Sequence, residues 1–100
     1  MGDIETDLEL EQAHQLLELK HTKLLQKKNT PLLISIGGSN DQSYLNASAL
    51  LTTQPHPLAV INIDAHFDVR PLKEGKAHSG SPFRLLLEDP RFLANGGKLV

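Results

Sequence analysis

The sequence predicts an α/β fold in which the strands of a parallel sheet alternate with helices. Apolar runs suited to buried strands lie at residues 32–36 and 58–63, and segments with helical spacing precede and follow each run. A third strand starts at residues 98–100. Strands that alternate with helices favour right-handed crossovers and a parallel sheet. Because two strands and the start of a third make a poor sheet, we expect residues 1–100 to be a truncated part of a larger domain.

The composition limits the classes of function. The chain has 100 residues, of which 39% are hydrophobic and 22% are charged, which is typical of a soluble domain. A net charge of −2 argues against a nucleic-acid partner bound through a basic surface. No apolar run is long enough to span a membrane, and the acidic N-terminus does not resemble a signal peptide. Without Cys there is no disulfide framework or thiol nucleophile, so we expect a cytoplasmic protein.

A leading helix is predicted from about Asp3 to Lys28, within a first segment of residues 1–30. Its acidic residues lie early and its basic residues lie late, as the helix dipole favours. Its apolar residues recur at three- and four-residue spacing: Leu10, Ala13, Leu17, His21 and Leu24. Asn29-Thr30-Pro31 ends the helix because proline cannot continue it. The two histidines of this helix are expected at the edge of the apolar stripe, without carboxylates around them.

The first strand and the loop after it begin the second segment, residues 31–100. Residues 32–36 form a nearly continuous apolar run, which predicts a strand covered on both faces. Gly37-Gly38 interrupts the run, and a helix follows through Leu51. Its possible N-caps are Ser39, Asn40 and Asp41.

The second strand and another helix follow in the same order. Residues 58–63 are a second buried-strand candidate. After a polar segment, Pro82 opens a helix with Ser81 as its N-cap, and Asp89-Pro90 interrupts it.

The strongest chemical signal is Asp64-Ala65-His66-Phe67-Asp68, directly after the second strand. In an extended chain Asp64, His66 and Asp68 would point into one space, at the sheet edge where open α/β folds place their sites. Oxygen and nitrogen donors without a thiolate suit Mn²⁺, and less decisively Zn²⁺, Fe²⁺ or Mg²⁺. The alternative on spacing alone is a solvated loop with incidental charges.

Two further loops are expected at the same edge. Gly37-Gly38, with the polar residues after it, is either a strand-to-helix turn or a close approach to a ligand. Phosphate binding is a third interpretation, although no P-loop is present. His78 and Ser79 precede a helix start, where they can bind a polar substrate or serve only as a capped helix entry.

Together the three loops resemble the ureohydrolases, which include arginase, agmatinase and formiminoglutamase. The Asp-Ala-His-x-Asp motif is present intact, and Ser79-Gly80-Ser81-Pro82-Phe83-Arg84 is most similar to the formiminoglutamase branch. The resemblance implies a three-layer α/β/α fold with a parallel sheet and a binuclear Mn²⁺ site at its rim. It further implies hydrolysis of small linear amidines, such as formiminoglutamate to glutamate and formamide, in histidine metabolism.

The resemblance also implies roles for individual residues. Asp64 would bridge both metals, His66 would bind one of them and Asp68 the other. The family's first loop ends in Gly-Gly-x-His, with the His as a ligand, and Asn40 stands in that place here. Members of the family are commonly oligomers, so a homo-oligomer is expected.

One absence shapes the functional hypothesis. The family's second ligand pair, an Asp-x-Asp on a later strand, does not occur in residues 1–100, and neither does its catalytic Glu. We therefore predict no catalytic residue in this chain and little activity for the chain alone. The alternative is a non-catalytic relative in which Asn40 marks a degraded metal site, acting in assembly or ligand sensing.

Overall fold

The computed structural model describes residues 9–27, 32–54 and 56–100. Its helices and strands in these ranges are α1 (Leu10–Leu25), α2 (Gln42–Thr53), β1 (Ala59–Val60), α3 (Pro82–Glu88), α4 (Pro90–Ala94) and β2 (Lys98–Leu99). The start of the predicted leading helix and its stop at residues 29–31 lie outside the described residues. None of the helices in the described ranges combines the length and the apolar character needed to cross a bilayer.

The two strands pair in parallel, as the alternation of elements predicts. Ala59 lies opposite Lys98 and Val60 opposite Leu99, and the pairing continues where the Asn62 amide donates to the carbonyl of Val100 at 2.8 Å. The strand predicted at residues 58–63 is therefore present but short. Helices α3 and α4 form the crossover between the strands, which is the connection a parallel pair requires.

The hydrophobic core lies between α2, the crossover helices and the sheet. It consists of Ala47, Leu51, Phe83, Leu86 and Phe92, with Leu58, Val60 and Leu99 packed against it. Leu86 is fully buried and Phe92 is 1% exposed. Burying a side chain of this size contributes roughly 1.5–3 kcal/mol, so this cluster fixes α3 and α4 against α2. On its other side α2 packs against α1, whose buried residues are Leu17 and His21.

The strand predicted at residues 32–36 is not formed in the described chain. These residues pair with no described strand, and Ile34 and Ile36 are 72% and 97% exposed. An apolar run becomes a buried strand only when a neighbouring strand and a covering layer are both available. Here the helices pack on one another, and neither β1 nor β2 reaches this segment.

The helix starts follow the sequence pattern, but the capping bonds differ from the prediction. Ser81 does precede α3, yet its hydroxyl donates to the carbonyl of His78 at 2.9 Å and does not cap the helix. Asp41 precedes α2 and makes no capping bond either. Asp89 caps α4 by accepting from the Arg91 amide at 2.9 Å. The Ser81 side chain is thus committed to its loop, and the Asp41 side chain is bonded to Ser39 in its loop and to His14 in α1.

Candidate metal and substrate site

Asp64 and His66 come together through a turn after β1. The chain bends at residues 64–66, and the His66 amide donates to Asp64 Oδ1 at 2.8 Å. His66 Nδ1 lies 3.4 Å from the same oxygen, and the His66 side chain is 82% exposed. The expectation that these residues share one face of an extended chain is therefore wrong, because the side-chain oxygen of Asp64 closes a local turn. Their proximity comes from that turn.

Asp68 lies beyond the turn and faces a different element. Its φ of 52° is in the left-handed region, which Asp tolerates better than most residues. Its carbonyl accepts from the Phe83 amide at 3.1 Å, which ties it to the start of α3. Its carboxylate accepts a hydrogen bond from the side-chain amide of Asn40. The backbone conformation thus turns Asp68 toward the loop before α2.

Asn40 links all three loops that the sequence singles out. Its Nδ2 donates to the Asp68 carboxylate and, at 3.3 Å, to the carbonyl of Ser79, while its Oδ1 accepts from the Ser43 hydroxyl at 2.7 Å. These loops are 28 and 39 residues apart in the chain. The prediction that the loops meet is therefore confirmed by the contacts of Asn40 with Asp68 and Ser79, although the strand expected before Asn40 is not formed in the described chain.

His78 and Ser79 are placed in the third loop with different surroundings. The Gly80 amide donates to His78 Nδ1 at 3.1 Å, so Nε2 carries the proton that is donated to the carbonyl of Pro71 at 3.0 Å. Both ring nitrogens of His78 therefore make hydrogen bonds that stabilise the conformation of the loop. Ser79 is exposed and contributes its backbone carbonyl to Asn40.

A polar cavity of about 310 Å³ opens beside Asn40. Its walls come from the segment before α2 and from the first turns of that helix, and they include Ser35, Gly38, Ser43 and Asn46. Hydroxyl and amide groups in such a wall can hydrogen-bond a polar small molecule without fixing its charge.

The sequence offers Asp41 as a possible helix N-cap and does not predict its burial next to this cavity. Asp41 is 6% exposed and accepts hydrogen bonds from the His14 imidazole and the Ser39 hydroxyl. Burial works to raise the pKa of Asp41, but the bonds from Ser39 and His14 outweigh it and hold the pKa below its usual value. His14 therefore has a carboxylate partner, contrary to the prediction. The only signal for this contact in the sequence was the position of His14, a polar residue next to the apolar stripe of α1.

The second histidine of α1 is also buried. His21 is 7% exposed, and its Nε2 lies 2.9 Å from the Ser35 hydroxyl. Burial lowers the pKa of His21, against a weaker opposing effect from the Asn46 side chain. The neutral imidazole is therefore favoured, which makes it a hydrogen-bonding group of the core.

The donor types at this edge fit Mn²⁺, and their arrangement is that of two pairs. Asp64 and His66 form one pair, and Asn40 and Asp68 form the other. Within residues 9–27, 32–54 and 56–100, no three acidic, imidazole or thiol side chains are grouped closely enough to hold a metal ion. Carboxylate, imidazole and amide-oxygen donors are the types that Mn²⁺ accepts. The assignment of these four residues as ligands stays a prediction.

Comparison with known proteins places this arrangement in a family. The family described as arginase matches residues 1–96. A formimidoylglutamase of Bacillus subtilis is 36% identical over 92 residues, which are 89% of this chain and 28% of that protein. The chain thus spans about 28% of the length of this relative.

Solved structures show the same likeness in three dimensions. A Trypanosoma cruzi formiminoglutamase crystallised with Mn²⁺ superimposes with a TM-score of 0.79 and 36% identity, covering 99% of this chain and 40% of that one. The B. subtilis formimidoylglutamase structure gives a TM-score of 0.79 and 28% identity over 91% of this chain and 28% of that one. The predicted α/β fold, as part of an arginase-type domain, is therefore confirmed, and the chain belongs to the arginase family.

Proposed function

We propose that this chain contributes part of the active site of a Mn²⁺-dependent hydrolase that cleaves non-peptide C–N bonds in linear amidines. The proposed substrate is formiminoglutamate, and the products are glutamate and formamide. The observation that carries the proposal is the contact of Asn40 with both Asp68 and Ser79, because it unites the three loops of the family motif. The names of the relatives and the Mn²⁺ in the T. cruzi structure support the substrate and the metal.

The residues of the three loops have two proposed roles, metal binding and substrate binding. Asp64, His66 and Asp68 are the residues that we propose would hold the metal, with Asn40 beside them. Mn²⁺ held there would supply a hydroxide nucleophile at neutral pH for hydrolysis of the amidine. The loop of His78 and Ser79, together with the polar cavity, is proposed to bind the substrate.

The chain by itself is proposed to be inactive. Between Asp68 and the end of the given sequence the acidic residues are Glu74, Glu88 and Asp89. Glu88 forms an ion pair with Arg84, and Asp89 is bound to Arg91. These two carboxylates are committed elsewhere, and the chain covers 28% of the B. subtilis relative, so we propose that further ligands come from the rest of such a domain.

The setting of the proposed enzyme follows from its chemistry. Formiminoglutamate hydrolysis belongs to histidine metabolism, which we propose takes place in the cytoplasm. The proposed partner is a small molecule, with neither nucleic acid nor membrane. Homo-oligomer formation is also proposed, because the exposed apolar side chains of Ile34 and Ile36 could be covered by a second copy of the chain.

One observation favours a second function, a non-catalytic relative acting in assembly or ligand sensing. Asn40 turns its nitrogen toward Asp68 and its oxygen toward Ser43. An amide nitrogen is no metal ligand, so this orientation fits a site that has lost one of its ligands.

A chimera decides between the two functions. Residues 1–100 replace the matching part of the B. subtilis formimidoylglutamase, and formamide release from formiminoglutamate is measured with and without Mn²⁺. We expect Mn²⁺-dependent release by the chimera, none by the chain alone, and none by an Asp64→Asn chimera that folds normally. A folded chimera that binds Mn²⁺ but releases no formamide would refute the catalytic proposal and support the second function.

A further inference from the structure

Two histidines of α1 hold the two ends of the segment that carries Asn40. The His21 imidazole is hydrogen-bonded to the Ser35 hydroxyl at 2.9 Å, at the beginning of this segment. The His14 imidazole is hydrogen-bonded to the buried Asp41 carboxylate at its end. Asp41 is the direct neighbour of Asn40, so the second contact fixes the backbone from which the Asn40 side chain extends.

The spacing of the histidines matches the segment they hold. His14 and His21 are seven residues apart, which is two helical turns and roughly 10 Å along the axis on one side of the helix. Both side chains are largely buried, His14 at 14% exposed and His21 at 7%. A rigid helix therefore presents two hydrogen-bonding groups at a fixed separation to residues 35–41.

Residues 35–41 need such support because the described chain gives them no sheet pairing. Ile36 is 97% exposed, and Gly37-Gly38 removes the side chains that would otherwise restrict the backbone. Along this stretch the structure shows side-chain hydrogen bonds and the backbone bonds of the turn at the start of α2.

We propose that His14 and His21 are positioning residues that clamp residues 35–41 to α1, so that the Asn40 side chain reaches Asp68. The proposal deepens the proposed metal function, on which its second part rests. Groups that orient metal ligands in this way typically change metal affinity by about 10- to 100-fold when removed. His14 acts through Asp41 and touches neither metal nor substrate.

The first experiment tests the clamp without any metal. The side-chain NH₂ signals of Asn40 and the exchange rate of the Ser43 amide, which donates to the carbonyl of Asn40 at 3.0 Å, are followed by NMR. We expect His14→Ala to move the Asn40 signals toward those of a free amide and to speed Ser43 exchange about 10-fold or more. The matched control is His56→Ala, at an exposed histidine, which should change neither.

The conservative variant separates positioning from general stability. The amide of Gln can donate to Asp41 as the imidazole does, so His14→Gln should keep the Asn40 signals near their original place. Unchanged Asn40 signals in His14→Ala would overturn the clamp. If His14→Ala unfolds the chain, His14→Gln decides: retained signals support the clamp and displaced signals overturn it.

The second experiment tests the link to metal binding. The Mn²⁺ dissociation constant of the chimera with the B. subtilis formimidoylglutamase is measured from the EPR signal of free Mn²⁺, and we expect an increase of about 10-fold or more in its His14→Ala variant. Equal Mn²⁺ binding by the two chimeras would overturn the link. If the unaltered chimera folds but binds no Mn²⁺ while the NMR changes occur in the chain, the clamp stands and the metal function fails.

Discussion

The Asp89 carboxylate joins α2 to the crossover helices through charged hydrogen bonds. It accepts from the Tyr44 hydroxyl at 2.9 Å and from Arg91 Nη2 at 2.7 Å, and its side chain is 4% exposed. Arg91 continues to the Ser48 hydroxyl at 2.8 Å, and Ser48 donates to Glu18 of α1. We therefore expect Asp89→Asn to loosen the packing of all these helices.

The size of the effect follows from two independent arguments. The bonds from Arg91 lower the pKa of Asp89 from 3.8 to about 2, against an opposing effect of burial. A shift of this size corresponds to roughly 2 kcal/mol of folding free energy at neutral pH. Breaking a fully buried pair costs about 3–5 kcal/mol, but Arg91 is 42% exposed and regains water. We expect Asp89→Asn to lower the free energy of unfolding by about 2 kcal/mol at neutral pH.

The assay is urea unfolding at neutral pH, followed by circular dichroism of the helices. Glu88→Gln is the matched control, since Glu88 is 58% exposed and pairs with Arg84 on the surface, where such pairs contribute at most about 1 kcal/mol. Asp89→Ala should lower the free energy of unfolding by about 1 kcal/mol more than Asp89→Asn, because Asn can still cap α4 and Ala cannot.

The pH dependence gives a separate test. The pKa of Asp89 is lower in the folded state than in the unfolded state, so its contribution is complete above about pH 4 and disappears as the pH falls toward 2. The difference in stability between the unaltered chain and Asp89→Asn should shrink over this range. If the difference in stability between the unaltered chain and Asp89→Asn stays constant between about pH 4 and pH 2, the reasoning is refuted. It is also refuted if Asp89→Asn lowers the free energy of unfolding at neutral pH no more than Glu88→Gln does.

Two further predictions concern the site and the turn before β2. Asn40→His should strengthen Mn²⁺ binding measured by calorimetry, because imidazole is a better ligand than an amide; unchanged binding would show that this position is not a ligand. Gly97→Ala should destabilise the fold by about 1–3 kcal/mol in thermal unfolding, since the new Cβ would lie 2.4 Å from the Phe92 ring. Gly38→Ala is its control, with open space around it, and equal effects would contradict the packing argument.

The elements that the sequence predicts correctly are those whose stability is local or depends on the helix core. The helix after Gly38 and the helix opened by Pro82 appear as α2 and α3, because apolar spacing and a proline at the first turn are local signals. The strand at residues 32–36 is absent because its burial depends on neighbours that the described chain does not supply. An apolar run indicates that a segment tends to be buried, but it does not indicate which other elements bury it.

The candidate site shows the same division. The prediction that Asn40 and Asp68 lie close together rested on the rule for parallel strands, and they meet although the strand expected before Asn40 is not formed in the described residues. The path of the chain at residues 64–66 was not predictable from spacing, because a side-chain bond within the turn decides it. The partner of His14 was missed because Asp41 is 27 residues away, and a hydrogen bond between distant residues leaves no periodic signal in the sequence.

The support of the site therefore differs from that of a complete parallel sheet. In a full sheet, backbone pairing fixes the loops at its carboxyl edge, and here the pairing between β1 and β2 extends to Asn62 and Val100. Residues 35–41 have no such pairing in the described chain and are held by side-chain bonds to α1, between His21 and Ser35 and between His14 and Asp41. Exposed Ile61 and Ile63, at 71% and 96%, follow directly after β1 and remain available for cover by further elements. Adding that cover would stiffen the segment before Asp64, so we expect the metal site to gain affinity with the rest of a domain present, while the contacts of α1 set its geometry.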